Sequence, residues 1–521
     1  MRRHKTAFAL GAILVLALAL RLWHIRHGLP FAYNADENEH FVPHAVAMAR
    51  GGSLDPGYYE NPPALTYLLL IVLKIAGTGD ALLTSRIVVA LIGTLVVFLT
   101  YVAGAQAFEK RVGLIAAALI AVAFLPVFYS KHALNDVVTM APVTVALIGS
   151  LLAWERGDRR WWVLAGAAVG VAAATKYTAG AMALTVAVAA ALRVHADRTQ
   201  LKPAAIGLVL AAVACVVAFL VLNPWAIVDF HQVRGQVAGQ SAQADTGKLG
   251  QDDTYGWFYY LGTFGWGLGW LPFVAALAGG VLVLARDWRR GVLLVAFPVF
   301  LYLFLGSQGR FFGRWLLPIY PVLAVLAGYA AVEAARALGK ARPRRVLALT
   351  AIFAAALCAQ GLANSVRVDT VLGKTDTRTL ALQWLRENVP PGSRIMVEPF
   401  VPAQWARAYA KYPVKRPFQA FEKRLRVARI EKYRRQGYCT VVVGSTQKGR
   451  GLKAGLTSAR RYYPALDAAS ESVVTFSPYR AGADPVKFSY DKSFNYEPRA
   501  YARPGPVVEI HTLRDCTPRR R

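Results

Sequence analysis

Three acidic residues and a histidine lie within five positions of one another in the stretch FAYNADENEHF, which covers residues 31–41. They are Asp36, Glu37, Glu39 and His40. The stretch separates an apolar run that ends near Leu22 from another that begins near Pro62. A carboxylate within hydrogen-bond reach of a hydroxyl group can act as its general base. We therefore predict acid–base chemistry here.

A local structural interpretation competes with the catalytic one. Asn34 is suited to be a helix N-cap, and Glu37 would then occupy the third helical position of a capping box. Asp36 would in that case favour the positive end of the helix. The role of Glu37 stays open between capping and function, and we expect Glu39 to be solvated.

The same stretch suggests a metal hypothesis. Asp36, His40 and His44 recur at four-residue steps, so one helical face could present all three to zinc or another divalent metal. Pro43 would disrupt the interior of such a helix, which favours paired or surface histidines instead. We name no metal ligands, and the need for a divalent cofactor stays open.

Further ionisable residues lie in polar breaks between later apolar runs. They are Glu60, Lys131, His132, Asp136, Lys176, Arg310 and Arg314. Charges that border apolar spans are energetically expensive and usually functional. Cations among them suit a phosphate on which negative charge develops.

Each of these residues also has a structural alternative. Asp136 could cap a helix that starts at Val137, and Lys131 could snorkel toward the membrane surface. Lys176, Arg310 and Arg314 could anchor lipid headgroups, while Glu60 could hydrogen-bond within its loop. We predict substrate binding for Glu60, Lys131, His132, Lys176, Arg310 and Arg314.

The elements that must position these residues are membrane helices. The chain has 521 residues, is 55% hydrophobic and carries a formal charge of +30. Its apolar runs are near the length that crosses a bilayer as a helix, and lipid requires the backbone to bond internally. We predict about eleven spans, at 6–22, 83–106, 113–129, 137–154, 161–175, 179–192, 204–222, 262–285, 291–306, 315–333 and 346–363.

Charge predicts the orientation of these spans. Short loops rich in Lys and Arg stay in the cytoplasm, which places the N-terminus inside and the C-terminus outside. The run Pro63–Ile75 is too short to cross and is laid on the outer face. The outer loops are then 23–82, 130–136, 176–178, 223–261 and 307–314, so acids and cations gather on one surface. The first run could alternatively be a signal peptide cleaved after Ala19, although an uncleaved anchor is preferred.

The chain after the last span reads as a separate domain. We divide it into a transmembrane domain, residues 1–363, and a small exported α/β domain, residues 364–521. TDTRTLALQWLREN has apolar residues at helical spacing, and RIMVEPF, YCTVVVGS and VVEIHTL are typical of short strands. Cys439 and Cys516 could pair if this domain is exported.

Four stretches resemble the GT-C glycosyltransferases that use polyprenyl-phosphate sugars. They are ADENEHFVPHAVAMARGG, YYENPPALTYLLL, KHALNDVVTMAPVTVAL and GVAAATKYTAG. The likeness is to the group that holds the lipid A aminoarabinose transferase and the dolichyl-phosphate-mannose protein mannosyltransferases. It covers about the first 230 residues well.

The resemblance implies roles for individual residues. The family's Asp-Glu pair in the first outer loop matches Asp36 and Glu37, and its second acid matches Asp136, so all three are predicted to be catalytic. The Asp of the pair is the base for the acceptor hydroxyl in the family, which implies that Asp36 is the base here. Tyr58 and Glu60 match a Tyr-x-Glu-Lys-Pro-Pro motif, which implies substrate binding. The motif's Lys, which would contact lipid phosphate, is replaced here by Asn61. That departure puts an aminoarabinose substrate in doubt.

The resemblance also implies a reaction. We expect an inverting transfer of a sugar from a polyprenyl-phosphate donor to a lipid or polysaccharide, rather than a protein, at the outer face of the inner or plasma membrane. The expected partners are donor, acceptor and membrane lipids, and no nucleic acid. The alternative is a transporter or flippase of lipid-linked sugars, which would place ionisable groups near mid-membrane in paired repeats.

Overall fold

The computed structural model describes residues 2–340, 342–398, 414–415, 425–492 and 496–518. The first half is helical, with α1 Arg2–Leu22, α2 Val42–Ala49, α3 Ala64–Ala76, α4 Ala81–Ala107, α5 Lys110–Val122, α6 Phe124–Tyr129, α7 Asn135–Arg156, α8 Arg159–Thr175, α9 Ala183–Ala196, α10 Leu201–Leu222, α11 Trp225–Val228 and α12 Phe230–Asp245. Helices continue with α13 Gly256–Phe264, α14 Trp270–Arg286, α15 Trp288–Gly306, α16 Tyr320–Gly339, α17 Pro343–Leu372, α18 Thr377–Asn388, α19 Ala428–Arg435, α20 Ser445–Lys453 and α21 Thr457–Ala468. Short 3-10 turns at Tyr177–Met182, Arg198–Gln200 and Gly313–Ile319, and π-helical turns at Glu37–Phe41 and Gly265–Gly269, complete the helical segments.

Nine helical segments of the described chain are long and apolar enough to cross a membrane. The chain is a multi-pass membrane protein, and the predicted all-α membrane domain is confirmed. Two of the eleven expected spans fall short of that length. The expected span 113–129 is divided at Ala123, because Pro126 lies in the first turn of a new helix, where no backbone donor is needed. The span 161–175 corresponds to α8, which has 17 residues.

The helix α3 has 13 residues, too few to cross a bilayer of ordinary thickness. Its length agrees with the expectation that this run lies outside the set of spans.

Close backbone contact packs α8 against α10. A Cβ atom on Gly166 would lie 2.0 Å from the carbonyl oxygen of Ala211, and one on Gly170 would lie 2.2 Å from that of Cys215. Glycines four positions apart let two membrane helices approach at this distance. The helix α7 also packs against α8. Gly166 and Gly170 therefore help to set where the ends of α7 and α8 lie.

A five-stranded sheet forms in the C-terminal region. Its strands are β1 Ile395–Val397, β2 Val414–Lys415, β3 Thr440–Gly444, β4 Ser470–Phe476 and β5 Val508–Leu513. The order is β2-β1-β3-β5-β4, with β2, β1 and β3 parallel and β5 antiparallel to both neighbours. The predicted small α/β domain is therefore confirmed, although part of the predicted strand RIMVEPF lies outside the described residues.

Alternating side chains of the sheet enter two hydrophobic cores. Ile395 and Val397 pack with α18 on one face, whereas Met396 packs with α21 on the other. Asp376 is the N-cap of α18, and its carboxylate accepts a hydrogen bond from the backbone N–H of Arg378. Cys439 and Cys516 form a disulfide with Cα atoms 5.5 Å apart.

The chain divides into two compact units. The membrane unit comprises residues 1–25, 39–246 and 254–366, and the C-terminal unit comprises residues 26–38, 247–253 and 367–521. The C-terminal unit thus contains two segments that the sequence places in outer loops. Segment 26–38 includes Asp36 and Glu37.

Candidate active site

Asp136 is the centre of an ion cluster in the membrane unit. It lies in the first turn of α7, and its carboxylate accepts a hydrogen bond of 2.6 Å from the ammonium group of Lys176, the residue after α8. Arg314 places its Nε 3.6 Å from the other carboxylate oxygen. The Asp136 side chain is only 4% exposed. Three segments that are remote in sequence therefore meet at one buried carboxylate, and we call these residues the Asp136 cluster.

Aromatic rings border the cluster. The Lys176 ammonium lies 6.0 Å from the centre of the Trp315 ring, and the Arg314 guanidinium lies 5.1 Å from that of Phe312. Ring faces attract cations and displace water from around them. A charge-assisted hydrogen bond is stronger in such surroundings than in water. The cluster therefore holds two cations in fixed positions, as recognition of an anion requires.

The capping alternative for Asp136 does not hold in this structure. Leu134 occupies the N-cap position of α7. The neighbouring Asn135 donates from its side-chain amide to the carbonyl oxygen of Thr175, at 2.8 Å, and to Asn61, at 3.1 Å. Both side chains of the Asn135-Asp136 pair thus bind other segments.

Asn61 connects the cluster to the first loop. Its side-chain amide donates to the Tyr58 hydroxyl at 2.7 Å. His40 stacks on the Tyr58 ring at 4.2 Å between centroids, and His44 lies 6.1 Å from the same ring. Burial lowers the pKa of His44, which favours its neutral form. The two histidines of the metal hypothesis are thus engaged with an aromatic ring.

No group of three or more His, Cys, Asp or Glu side chains in the described residues is arranged to hold a metal ion. Asp36, His40 and His44 accordingly do not form the metal cluster that their spacing suggested.

Asp36 and Glu37 differ in exposure. Both lie at the start of a helical segment, where Asn34 caps the chain by accepting a hydrogen bond of 3.1 Å from the backbone N–H of Asp36. Glu37 is completely buried, whereas Asp36 is half-buried. Both belong to the C-terminal unit, while the Asp136 cluster belongs to the membrane unit. That the two sets share one pocket stays a prediction.

Lys131 and His132 are buried in the membrane unit. The ammonium group of Lys131 donates to the carbonyl oxygens of Leu20 and Trp23, the latter at 2.5 Å. These carbonyls lie at the end of α1, where backbone acceptors have no partner within the helix. His132 pairs through Nδ1 with the Phe128 carbonyl at 3.1 Å. These contacts favour structural roles for both residues.

The two remaining candidates lie in loops. Glu60 is half-buried in the bend before α3. Arg310 lies against the end of α12, where its backbone N–H donates to Ala244 at 2.6 Å and its guanidinium to Gln243 at 3.2 Å. Arg310 and Arg314, which are four positions apart, thus have different neighbours in these contacts.

Two buried arginines were not among the residues predicted from the sequence. Arg21 is fully buried and donates to the carbonyl oxygens of Ala121 and Ile120. Arg86 is 1% exposed and donates to the carbonyl oxygen of Ile25 at 2.9 Å. The available signal was an arginine inside an otherwise apolar run, since such a charge must find partners within the protein.

The many membrane helices followed by a small C-terminal α/β domain form a fold like that of the GT-C glycosyltransferases. Residues 60–225 match the family model described as dolichyl-phosphate-mannose-protein mannosyltransferase. That range includes Asp136 and Lys176. No curated protein matches the chain significantly by sequence.

Several solved structures share this fold at low sequence identity. The oligosaccharyltransferase of Archaeoglobus fulgidus in its apo form has a TM-score of 0.62 and 14% identity, with 98% of this chain and 88% of that chain covered. ArnT from Cupriavidus metallidurans bound to undecaprenyl phosphate has a TM-score of 0.59 and 15% identity, with both chains covered over 100% of their length. AglB from Archaeoglobus fulgidus, in complex with an inhibitory peptide and a dolichol-phosphate, has a TM-score of 0.58 and 16% identity, with 92% and 74% covered. The resemblance predicted from the sequence is confirmed at the level of the fold.

Proposed function

We propose that this protein transfers a sugar from a polyprenyl phosphate to an acceptor at the outer face of the membrane. The observation that carries the proposal is the convergence of Lys176 and Arg314 on the buried Asp136. Two cations held together are suited to a phosphate leaving group, on which negative charge develops as the sugar departs. Two of the solved structures with this fold were determined with undecaprenyl phosphate or a dolichol-phosphate.

The carboxylates have separate roles in this proposal. Asp36 is the base that accepts the proton of the acceptor hydroxyl, because it is half-buried and so accessible, whereas Glu37 is fully enclosed. Asp136 keeps Lys176 and Arg314 in position for the phosphate. The hydroxyl attacks the anomeric carbon opposite the phosphate, so one carbon–oxygen bond forms as the other breaks and the configuration inverts.

We further propose that the N-terminus is cytoplasmic and the C-terminal domain extracytoplasmic. The disulfide between Cys439 and Cys516 supports this orientation, because such bonds persist in oxidising compartments. An acceptor on this side would be a lipid or polysaccharide of the envelope.

The test compares cells that make the wild-type chain with cells that make Asp36→Asn. Mass spectrometry of envelope lipids and glycans identifies the sugar-bearing product that depends on the wild-type chain. We expect this product to disappear in the variant, while the purified variant still binds undecaprenyl phosphate, since asparagine keeps the size of the side chain but cannot accept the proton. Asp80→Asn, at an exposed position in the same loop, is the control and should leave the product unchanged. Undiminished product in Asp36→Asn would reject Asp36 as the base.

A further inference from the structure

Phe31 lies in the hydrophobic core of the C-terminal unit. It is 8% exposed and belongs to the cluster that α18 and the sheet form. Buried members of this cluster include Ala381, Leu382, Leu385, Ile395, Val508 and Ile510. Closely packed cores leave their side chains little room to move. A residue five positions before Asp36 is therefore fixed by a domain from the other end of the chain.

Tyr33 is held by a second set of contacts. The guanidinium of Arg378 lies 3.8 Å from the centre of the Tyr33 ring. The Tyr33 hydroxyl is 2.7 Å from the hydroxyl of Thr379, which is 346 positions away in sequence. Asp376 binds Arg378 through two hydrogen bonds, of 2.9 and 2.7 Å, so the cation cannot turn away from the ring.

The chain between these anchors and Asp36 has little freedom. Asn38 donates from its side-chain amide to the carbonyl oxygen of Ala32 at 2.5 Å, and Asn34 accepts from the N–H of Asp36. Three residues span at most about 10 Å. The position of Tyr33 therefore limits where the Asp36 carboxylate can lie.

We propose that the C-terminal domain is a positioning element of the active site, which holds the Asp36 segment through Phe31, Tyr33 and Arg378. The inference rests on the proposed function, in which Asp36 is the base. Tyr33 and Arg378 are positioning residues and touch no reacting atom. Displacement of a base by about 1 Å can lower a rate by about 100-fold. Binding of the donor phosphate, which is assigned to the membrane unit, should not change.

The experiment measures two quantities for each full-length variant. One is the amount of the envelope product per amount of protein in cells, and the other is the Kd for undecaprenyl phosphate of the purified chain. We expect Tyr33→Leu to lower the product at least tenfold and to leave the Kd within twofold. Tyr33→Phe keeps the ring on Arg378 and should restore most of the product.

Tyr438→Leu is the matched control. Tyr438 also lies beside a guanidinium, that of Arg394 at 5.8 Å, in the same unit. Its loss should leave both quantities unchanged. Correct folding is checked through the Cys439–Cys516 disulfide, which must remain oxidised and protected.

The outcomes separate this inference from the proposed function. If Asp36→Asn abolishes the product and a folded Tyr33→Leu variant makes it normally, the positioning role is rejected and the proposed function stands. If Asp36→Asn makes normal product, the base assignment fails and the positioning role fails with it. An equal loss in Tyr33→Leu and Tyr33→Phe would also reject the role assigned to the ring.

Discussion

At the scale of single residues, Lys176 and Arg314 share the Asp136 carboxylate but differ in chemistry. Lys176 presents a compact ammonium group at 2.6 Å, whereas the planar guanidinium of Arg314 lies farther away, at 3.6 Å. A guanidinium can bind two oxygens of a phosphate at once, and an ammonium acts as a point charge. The two are therefore not interchangeable in the proposed site.

Replacing Lys176 with glutamine should weaken binding of the donor phosphate. We expect the Kd for undecaprenyl phosphate to rise at least tenfold and product formation to fall by about 100- to 1,000-fold, as for loss of one hydrogen-bond donor that stabilises developing negative charge. Lys74→Gln is the control, because this lysine is exposed in the last turn of α3. Unchanged affinity in Lys176→Gln would contradict a role in phosphate binding.

Replacing Asp136 with asparagine should destabilise the membrane unit. Removing one partner of a buried ion pair leaves the other charge uncompensated and costs about 3–5 kcal/mol. Adding Lys176→Met should restore part of that loss, because the stranded ammonium is then removed as well. The free energy of unfolding of the purified chain, measured for both single variants and the double variant, tests this. Strictly additive losses would show that the two side chains are not coupled.

At the scale of elements, the contact of α8 with α10 decides where the candidate residues at the end of α8 lie. Gly166 and Gly170 bring the two backbones together. Because Lys176 follows α8 directly, any change in this packing moves the lysine relative to Asp136. The helix pair is therefore a structural support of the cluster.

Gly166→Ala should disturb this support. The added methyl group would overlap the carbonyl of Ala211, and overpacking of this kind costs about 1–3 kcal/mol. Thermal unfolding of the purified chain should show a lower midpoint. Gly11→Ala is the matched control, since a Cβ at Gly11 of α1 meets no atom within 4 Å. Equal stability of the two variants would argue against close packing at Gly166.

The first strand of the sheet ends at a buried acid. Glu398 follows β1, is completely buried and donates its backbone N–H to Val442 at 3.0 Å. Burial raises the pKa of its carboxyl from 4.5 to about 8. The folded domain thus holds this proton more tightly than the unfolded chain does.

The C-terminal domain should consequently lose stability as the pH rises from about 4.5 to about 8. The stabilisation by the protonated carboxyl is complete below pH 4.5 and lost above pH 8, with a slope of at most about 1.4 kcal/mol per pH unit. Glu398→Gln should reduce this slope, whereas the exposed Glu471→Gln should not. Hydrogen exchange of β3 and β5, corrected for intrinsic rates, measures the effect. Glu497, whose pKa burial also raises to about 8, should account for a remaining slope.

At the scale of the whole molecule, the disulfide offers a test of the proposed orientation of the C-terminal domain. Cys439 and Cys516 are 77 positions apart, and closing a loop of that length stabilises a domain by about 4 kcal/mol. The other two cysteines, Cys215 and Cys358, lie in membrane helices and are free thiols. The proposed extracytoplasmic orientation of the C-terminal domain therefore predicts that this bridge forms in the cell.

We expect the two bridged cysteines to resist labelling in membranes. In a chain with Cys215→Ala and Cys358→Ala, a maleimide-linked polymer should shift the denatured protein on a gel only after reduction. Cys439→Ser should expose Cys516 to a membrane-impermeant maleimide added outside the cell. Labelling without reduction, or labelling only after the membrane is opened, would reject the proposed orientation.

The sequence alone determined the elements. Apolar runs near the length of a bilayer predicted the membrane helices, and short segments that contain Val, Ile and Thr predicted β1, β3 and β5, because both patterns follow from local backbone chemistry and solvent. The loops with ionisable residues were also identifiable, since charges are rare within apolar runs.

Only the tertiary structure decided which of those residues meet. Asp136, Lys176 and Arg314 share one site. Lys131 instead donates its hydrogen bonds to backbone carbonyls at the end of α1. Phe31 and Tyr33, which the sequence places in a loop of the membrane domain, belong instead to the C-terminal unit. These outcomes depend on packing between segments hundreds of residues apart, about which the local pattern of a single sequence carries no information.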